Sequence, residues 1–546
     1  MQTTVYPAKI LTMNPMQPRA ACVAVRDGRI LAVGSEAEMG AWGPCVVDAR
    51  FAGRVLMPGL VEGHSHLMEG AFWKYAYVGY HDRRGPCGRL WKGLTSFDAV
   101  AARLSEAERG MQDPSEPLLA WGFDPIFFGD QRMTTRELDR VSATRPIAIL
   151  HASVHLLNVN TPMLRKAGID RHAGIEGVAR LADGEPSGEL REFAAMFPVM
   201  RAIGNAFKVA QESEEGLWRF ARVARLAGVT TATDMANAWT EEGASRLALV
   251  TSREDFPVRI VTAYRSLDAP TEIERGLRGL GELQRFSGDK LRFSLVKLIV
   301  DGSIQGFSAR LRWPGYYNGH ANGIWVVPPG ELQAIVERLH RAGAHIHIHT
   351  NGDEATEAVL EALEAAITKH PRPDHRHTLQ HAQMADAAQF RRMARLGVCA
   401  NLFANHIYYW GDAHYSRTMG PDRANRMDAC GTALHCGVPL AIHSDAPITP
   451  IGPLFTAWCA VNRLTSSGRV LGENERITVG QALSAITLGA AYTLKMDHEI
   501  GSIEVGKRAD FCVLDADPGA VAAERLKDVG VLATVLGGKV FEASHG

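Results

Sequence analysis

Histidines and aspartates stand at the ends of several apolar segments, in spacings that suit the binding of a divalent metal. The first pair is His64 and His66, which follow the apolar residues 56–61 and the turn Pro58-Gly59. Residues two apart on a strand point to the same face, so the two imidazoles would converge. Solvated or hydrogen-bonded histidines are the alternative for this motif by itself. Its place directly after an apolar segment favours metal binding.

The alternating run His345, His347 and His349 predicts a strand with three imidazoles on one face. We expect His349, nearest the carboxyl end, to be a ligand, and the two deeper histidines to be buried, neutral and hydrogen-bonded. Two further apolar segments end in His381 and in Asp445, although an aspartate there could also cap a loop. Together these strand ends favour a metal site, and imidazole with carboxylate suits zinc, manganese, iron or nickel.

A lysine lies inside an otherwise apolar segment. Lys297 stands within residues 295–300, where a charged ammonium is costly unless it is paired or modified. One interpretation is a buried lysine–aspartate pair. The other is a lysine whose lowered pKa allows it to react with CO2, which would give a carbamate that bridges two metal ions.

Alternating strands and helices are needed to bring these segments to one place. The pattern of apolar residues predicts helices at 332–341, 355–369, 387–396 and 430–436, and strands at 344–349, 377–381, 398–403 and 439–444. Repeated β–α units of this kind predict an α/β protein with a closed parallel (β/α)8 barrel of the TIM type. The candidate ligands would then lie at the carboxyl ends of the barrel strands.

Both chain ends are rich in short strand patterns. These lie at residues 9–13, 21–26, 29–33, 54–57, 510–514 and 531–540. The turn Asp27-Gly28 is a hairpin signal. We expect residues 1–56 and 497–546 to form one small β-sandwich and residues 57–496 to form the barrel. Residues 70–220 hold few clear repeats and are predicted to be an insertion that acts as a lid.

Composition narrows the class of protein. The 546 residues carry a net charge of −1, which argues against nucleic acid or an anionic membrane as a partner. No run of about 20 apolar residues is present, and the first residues lack the pattern of a secretory signal. The eight cysteines include no CxxC pair, so buried reduced thiols and a cytoplasmic location are expected. The expected partner is a small-molecule substrate, and homo-oligomer formation stays open.

The chain resembles the amidohydrolase superfamily, in the branch that includes N-substituted formamide deformylase, over nearly its whole length. The segments that carry the resemblance keep their order along the chain. They are MPGLVEGHSHL (57–67), WGFDP (121–125), HLLNVN (155–160), GEPSGELRE (184–192), GVTTATDM (228–235), VKLIVDGSIQGFSARL (296–311), HTNGDEA (349–355), RHTLQHAQ (376–383), HSDAPITPIGPL (443–454) and GSIEVGKRADFCVLDADP (501–518).

The resemblance implies a barrel with a β-sandwich from the chain ends and one or two divalent ions, with zinc expected. The ligands that it implies are His64, His66, Lys297, His349, His381 and Asp445. Lys297 would be carboxylated and bridge two ions. Asp445 would also be the general base that takes a proton from water activated by the metal. Two residues depart from the family pattern: Gln380 stands where glutamate is usual, and His443 stands where glycine is common.

The implied reaction is hydrolysis of a carbon–nitrogen bond, in an amide, N-acyl or N-formyl compound. By position in the family, His155, Glu192 and Arg310 would contact the substrate. The aromatic segment around Trp73 would either line the pocket, which favours an apolar or aromatic substrate, or pack in the core. Ester, lactone or cyclic-amide hydrolysis, deamination and decarboxylation on the same site are the alternatives. A metal-binding protein of this fold without catalytic activity is the alternative from another class.

Overall fold

The barrel strands are parallel and follow one another in chain order around the sheet. The computed structural model describes residues 2–129, 131–265 and 273–543, so residues 544–546 of the predicted terminal domain lie outside the described part. The barrel strands within these ranges are β1 (Leu60–Glu62), β2 (Val229–Asn237), β3 (Arg259–Arg265), β4 (Leu291–Ile299), β5 (His345–Thr350), β6 (Thr378–His381), β7 (Cys399–Leu402) and β8 (Leu440–Ile442). The predicted α/β barrel is confirmed.

The barrel is closed by the residues that follow its first and last strands. Ser65 and Ala446 form a parallel bridge. On either side of that bridge, the His66 amide donates to the Ala446 carbonyl (2.7 Å) and the Asp445 amide donates to the His64 carbonyl (3.1 Å). Closure therefore brings the end of β1 beside the end of β8, and both ends carry candidate ligands.

Helices alternate with the strands and cover the sheet. In the barrel part of the described chain they are Glu241–Ser252, Ile273–Leu283, Pro329–Arg341, Asp353–Lys369, Ala387–Leu396, Asn405–Ala413, Gly420–Ala424, Cys430–His435, Pro453–Asn462, Val479–Ala485 and Leu488–Thr493. The helix Ala387–Leu396 shows why the sequence pattern was reliable here. Asp386 caps its first turn, Gly397 ends it with a φ of 70°, and Phe390 and Met393 are buried.

The strands from both chain ends pair in one sheet. Along that sheet, the described strands run in the order Lys539–Glu542, Val531–Leu536, Phe511–Leu514, Val55–Pro58, Thr3–Leu11, Arg19–Arg26 and Arg29–Gly34, with Cys45–Val47 on the side of Thr3–Leu11. The hairpin at Asp27-Gly28 is confirmed, since both residues adopt a positive φ. The first strand begins six residues earlier than predicted, because pairing with Arg19–Arg26 orders residues whose own pattern is weak.

Residues Leu67–Val223 and Pro447–Pro450 form a second compact unit. Its mixed sheet runs, in the described residues, in the order Val178–Arg180, Pro186–Arg191, Leu156–Val159, Ile147–His151, Leu118–Phe123 and Ala76–Tyr77. Its helices of seven or more residues are Phe97–Arg109, Thr135–Val141, Thr161–Ala167 and Glu192–Ala202, and the helix Glu214–Leu226 begins in this unit. The insertion thus has its own sheet and core, and its role as a lid stays a prediction.

Two cysteines contradict the expectation of buried thiols. Cys45 and Cys87 are exposed, whereas Cys22, Cys399 and Cys430 are among the buried ones. Cys45 is exposed because its whole short strand, Cys45–Val47, faces solvent. In the part of the chain that the structure describes, no helix combines the length and apolar character required to traverse a lipid bilayer.

Candidate metal centre

The segment before β1 is shaped by a close approach of backbone to side chain. A Cβ placed on Gly59 would lie 2.0 Å from the Thr230 hydroxyl oxygen, so only glycine fits there. The chain then runs through β1, and Glu62, His64 and His66 follow at alternate positions. These three side chains share one face of the extended segment, as the sequence pattern predicted.

His64 is held in one tautomer by Gln380. The His64 Nδ1 lies 2.7 Å from the Gln380 Oε1, and an amide oxygen can only accept, so Nδ1 carries the proton. The unprotonated Nε2 therefore faces the interior of the site, 3.3 Å from the Asp445 Oδ1 and 3.4 Å from the Lys297 Nζ. Burial, followed by the charge of Lys297, holds the pKa of His64 well below its usual value. A neutral imidazole with a free Nε2 is the form that binds a metal.

Gln380 is itself fixed by a buried chain of hydrogen bonds. Its Oε1 also accepts from Asn401 Nδ2 (2.9 Å), and its Nε2 donates to His347 Nδ1 (2.6 Å). His347 Nε2 then donates to the Thr493 carbonyl (3.0 Å). His347 is thus buried and hydrogen-bonded as predicted. These hydrogen bonds also explain why position 380 carries an amide, because a carboxylate there could not donate a hydrogen bond to His347.

His66 presents its Nε2 to the same carboxylate. Its Nδ1 donates to the Met235 carbonyl (2.5 Å), and its Nε2 lies 3.2 Å from the Asp445 Oδ1. The Nε2 atoms of His64 and His66 therefore converge on one oxygen of Asp445. Asp445 has a φ of 52°, a conformation that aspartate tolerates better than most residues. That backbone turn directs its carboxylate back towards β1.

His381 and His349 lie next to each other on neighbouring strands. Their ring centroids are 4.6 Å apart. The His381 Nδ1 lies 3.9 Å from the Asp445 Oδ2, and this buried nitrogen makes no hydrogen bond with any described residue. The His349 Nε2 lies 3.3 Å from the Gly302 carbonyl and 3.7 Å from the Asp301 Oδ1. His349 thus joins the cluster through His381.

Lys297 is buried, and in the described chain no aspartate lies within ion-pair distance of its ammonium, although the charge of Asp445 acts on it. Its side chain lies on β4, and the residue is only 2% exposed. The neighbouring Asp301 carboxylate instead accepts backbone N–H groups from Arg310, Asn351 and Gly352. Burial lowers the pKa of Lys297 to about 7, although the charge of Asp445 acts in the opposite direction. The Asp301 carboxylate is thus used by the backbone, and the interpretation of a lysine–aspartate pair stays open for Asp445.

Glu62 joins the ends of β1 and β8 from inside the barrel. Its Oε1 accepts from the Ser444 amide (3.0 Å) and its Oε2 from the Ser444 hydroxyl (2.8 Å). Burial raises the pKa of Glu62 to about 8, even though the bonds from Ser444 lower it. The residue after Ser444 is Asp445, so Glu62 helps to place the carboxylate on which the histidines converge.

His443 belongs to the cluster, which the sequence argument treated only as a departure from the family pattern. In the described chain, His64, His66 and Asp445 form one group of donors within 4.8 Å of one another, and His64, His381 and His443 form another. Position 443 could have been found from the sequence, because it lies two residues before Asp445 and so faces the same side.

The residues present fit a divalent ion. The donors are neutral imidazoles and a carboxylate, the set that binds zinc and related metals. Two imidazoles on one ion, with metal–nitrogen bonds of about 2.0–2.1 Å, have ring centroids about 5 Å apart. The centroid of His64 lies 5.4 Å from that of His66 and 4.7 Å from that of His381. The unpaired Nδ1 of His381 is a buried polar atom that an ion would satisfy.

The four predicted substrate contacts fall in two units. Trp73 lies in the inserted unit, where its Nε1 donates to Glu69 (2.8 Å) and its ring meets Trp121 edge-on. His155 and Glu192, in the same unit, form a pair of 3.0 Å. In the barrel unit, Arg310 pairs with Glu354 (3.0 Å), donates to Gly323 O (2.9 Å) and lies over the Trp325 ring. Substrate contact stays a prediction for all four residues.

A parallel (β/α)8 barrel that gathers imidazoles and a carboxylate at its strand ends is the architecture of a metal-dependent hydrolase. The chain belongs to the amidohydrolase family, whose profile matches residues 46–541. This confirms the family predicted from the sequence.

Named relatives and a solved structure resemble the chain over most of its length. N-substituted formamide deformylase of Arthrobacter pascens is 27% identical over 557 residues, which cover 97% of this chain and 96% of the relative. Protein LONG AFTER FAR-RED 3 of Arabidopsis thaliana is 28% identical over 559 residues, which cover 97% and 90%. The crystal structure of an uncharacterized metal-dependent hydrolase from Pyrococcus horikoshii OT3 superposes with a TM-score of 0.71 at 22% identity and covers 96% of this chain and 99% of the other. That structure supports the fold alone.

Proposed function

We propose that this chain is a metal-dependent amidohydrolase that cleaves the carbon–nitrogen bond of a small amide, N-acyl or N-formyl compound. The observation that carries the proposal is the convergence of two imidazoles on one carboxylate oxygen. The Nε2 atoms of His64 and His66 lie 3.3 Å and 3.2 Å from the Asp445 Oδ1. Two imidazole nitrogens with free electron pairs and one carboxylate oxygen thus face the same point. This is the set of donors that surrounds a bound metal cation.

We assign six residues to the metal centre, as the resemblance implies. They are His64, His66, Lys297, His349, His381 and Asp445. When bound, a divalent ion, expected to be zinc, supplies Lewis-acid polarisation of the substrate carbonyl and lowers the pKa of water. The residues of the chain hold that ion, set the tautomer of His64 through Gln380, and keep the carboxylate of Asp445 in place through Glu62 and Ser444.

Asp445 is proposed as the general base. Its Oδ1 faces His64 and His66, while its Oδ2 lies 3.9 Å from His381 Nδ1. In the reaction, Asp445 accepts a proton from the water that attacks the carbonyl carbon. A carbon–oxygen bond forms, the carbon–nitrogen bond breaks, and Asp445 returns the proton to the leaving nitrogen. The backbone bond from Asp445 N to the His64 carbonyl restrains the carboxylate during both transfers.

Lys297 is proposed as a site of carboxylation. Its Nζ is buried and lies 3.4 Å from the His64 Nε2, and a carbamate on that nitrogen would place anionic oxygens among the imidazoles. Such a group would offset the positive charge of one or two divalent ions. An ammonium at the same place would repel them. Mass spectrometry of the intact metal-loaded protein in bicarbonate buffer would detect the added mass.

The substrate class rests on the resemblance and on the aromatic residues. The formamide deformylase of Arthrobacter pascens acts, by its name, on N-substituted formamides. We extend that chemistry to this chain and propose an apolar or aromatic group on the nitrogen from the aromatic sequence around Trp73, although the Trp73 ring itself packs against the core of the inserted unit. A small molecule is the proposed partner, and a cytoplasmic location is proposed with it.

The proposal is tested by a chelation-sensitive screen. Metal-replete protein is incubated with N-formyl and N-acyl amines, and released amine is quantified. Parallel panels hold esters, lactones, cyclic amides and substrates for deamination. Turnover of formamides or amides that a chelator abolishes supports the proposal. Chelator-sensitive turnover only in another panel refutes the proposed bond. Metal binding without turnover in any panel favours the non-catalytic alternative.

The role of Asp445 is tested with a matched variant. Asp445→Asn is expected to lower kcat/KM by about 100-fold or more while the protein stays folded. The control Asp422→Asn changes an aspartate whose side chain is 91% exposed and should leave kcat/KM unchanged. A near-normal rate in Asp445→Asn would overturn the assignment.

A further inference from the structure

His443 is a buried imidazole whose two ring nitrogens make no well-formed hydrogen bond with the residues that the structure describes. The residue follows β8, is 1% exposed, and is anchored by its amide to the Leu402 carbonyl (3.1 Å). Neither its Nδ1 nor its Nε2 meets hydrogen-bond geometry with a described residue, although the Asn401 backbone approaches the ring. A buried polar group left unpaired destabilises the fold. Because the Asn401 backbone can serve at most one of the two nitrogens, the other is left to bind a ligand.

The ring of His443 lies where a further metal donor would lie. Its centroid is 4.7 Å from that of His64 and 5.0 Å from that of His381. These separations match the distance of about 5 Å expected for imidazoles that share an ion. On its other side the ring packs on Phe403, at 4.9 Å and nearly parallel. Phe403 offers no polar atom, so the nitrogens of His443 are not satisfied from that side.

His64 can bind only one metal ion, because only one of its ring nitrogens is available. Its Nδ1 is used by Gln380, which leaves Nε2 as the only nitrogen of His64 available to a metal. His64 belongs to both donor groups of the cluster, the one with His66 and Asp445 and the one with His381 and His443. The ion held by His64 is therefore the one that His443 can approach.

We propose that His443 is a further imidazole ligand of the metal centre, bound to the ion that His64 holds. The inference rests on the metal of the proposed function and adds a donor that the six assigned ligands do not include. Because His443 and Asp445 each belong to a donor group that includes His64, the end of β8 would supply two ligands instead of one. The added neutral donor raises the affinity for a borderline metal such as zinc without adding negative charge.

The test uses the metal as its own probe. Metal-free protein is titrated with Zn²⁺ against a chromogenic chelator, and a second sample is reconstituted with Co²⁺ for visible absorption. His443→Phe keeps a ring of similar shape against Phe403. We expect it to weaken Zn²⁺ binding by more than about 10-fold and to change the Co²⁺ spectrum. The control His435→Phe alters an exposed histidine and should bind both metals as the wild type does.

A second variant keeps the test informative if the phenylalanine does not fit. His443→Gly leaves a cavity of the size of the ring, and added imidazole is expected to restore both Zn²⁺ affinity and the Co²⁺ spectrum. Wild-type affinity and spectrum in His443→Phe, or no restoration of His443→Gly by imidazole, would overturn the inference and leave the proposed function intact. A wild-type protein that binds neither metal would overturn the proposed function and the inference together.

Discussion

Glu499 provides a pH-dependent test of how the barrel is tied to the C-terminal segment. Its two carboxylate oxygens each lie 2.7 Å from the Arg292 Nη2, on β4, and Oε2 accepts from the Arg508 Nε (2.9 Å). Arg508 also pairs with Asp289, which precedes β4. Burial alone would raise the pKa of Glu499, but the hydrogen bonds from Arg292 and Arg508 outweigh it and lower the pKa to about 2.

The size and sign of the effect follow from that pKa. The ordinary value is 4.5, and each unit of difference corresponds to about 1.4 kcal/mol, so the ionised Glu499 contributes about 3 kcal/mol to the free energy of unfolding. A carboxyl with a lowered folded-state pKa contributes fully above its unfolded value. The contribution of Glu499 should therefore be constant from pH 7 to pH 5 and should disappear as the pH falls from 4.5 towards 2.

The assay compares the thermal unfolding of two variants. For a chain of this length the entropy of unfolding is about 1.1 kcal/mol per kelvin, so Glu499→Gln should lower Tm by about 3 °C at pH 7. The difference from the wild type should shrink below pH 4.5. The control Glu242→Gln changes a glutamate whose side chain is 83% exposed and should move Tm by less than about 0.5 °C. Equal Tm values for Glu499→Gln and the wild type at pH 7 would refute the reasoning.

Two further substitutions test the hydrogen bond that orients His64 and the ion pair between the barrel and the terminal sheet. Gln380→Ala removes the acceptor that sets the tautomer of His64. In a chelator competition, this variant should bind Zn²⁺ about 10- to 100-fold more weakly than the wild type. An unchanged Zn²⁺ affinity would argue against the role of Gln380 in setting the tautomer. Arg259 and Asp510 form a fully buried ion pair of 2.6 Å between β3 and the residue before Phe511–Leu514, so Arg259→Leu should lower the free energy of unfolding by about 3–5 kcal/mol. Replacement of both partners by apolar residues should recover much of that loss in denaturant unfolding, and a double variant as unstable as Arg259→Leu would contradict the account.

Between residues 329 and 442, every predicted helix and strand is present, whereas the helices Asn405–Ala413 and Gly420–Ala424 were not predicted. The helix Ala387–Leu396 has the predicted bounds, and Asp353–Lys369 begins two residues earlier than expected. These segments are predictable because each one carries its own signals, namely a capping residue, a regular apolar face and a glycine or polar stop. The strands between them are short and apolar. The candidate ligands could be recognised because each one stands at the end of such an apolar segment.

The inserted unit could not be predicted in the same way. Its sheet contains strands as short as Ala76–Tyr77, and antiparallel pairs such as Leu156–Val159 with Pro186–Arg191 join segments far apart in sequence. Strands of this kind carry too few residues for a periodic pattern. Their pairing is decided by tertiary contacts, which a single sequence does not display.

Contacts between side chains from different parts of the barrel could not be predicted from the sequence either. Glu62 and Ser444 meet only because β1 and β8 are adjacent after closure. The direction of the Gln380 amide depends on the tautomer of His347, on the preceding strand. The sequence identified the candidate ligands by type and spacing. The hydrogen bonds that orient those ligands required coordinates.

The central claim is that side chains from separate barrel strands hold a divalent ion. Elemental analysis of dialysed, metal-reconstituted protein tests it most directly, with the double variant His64→Ala/His66→Ala beside the wild type. The account predicts one or two equivalents of divalent metal in the wild type and about one equivalent less in the folded double variant, since both Nε2 donors next to Asp445 are removed. A wild type without bound metal, or a double variant that retains the wild-type content, would contradict it.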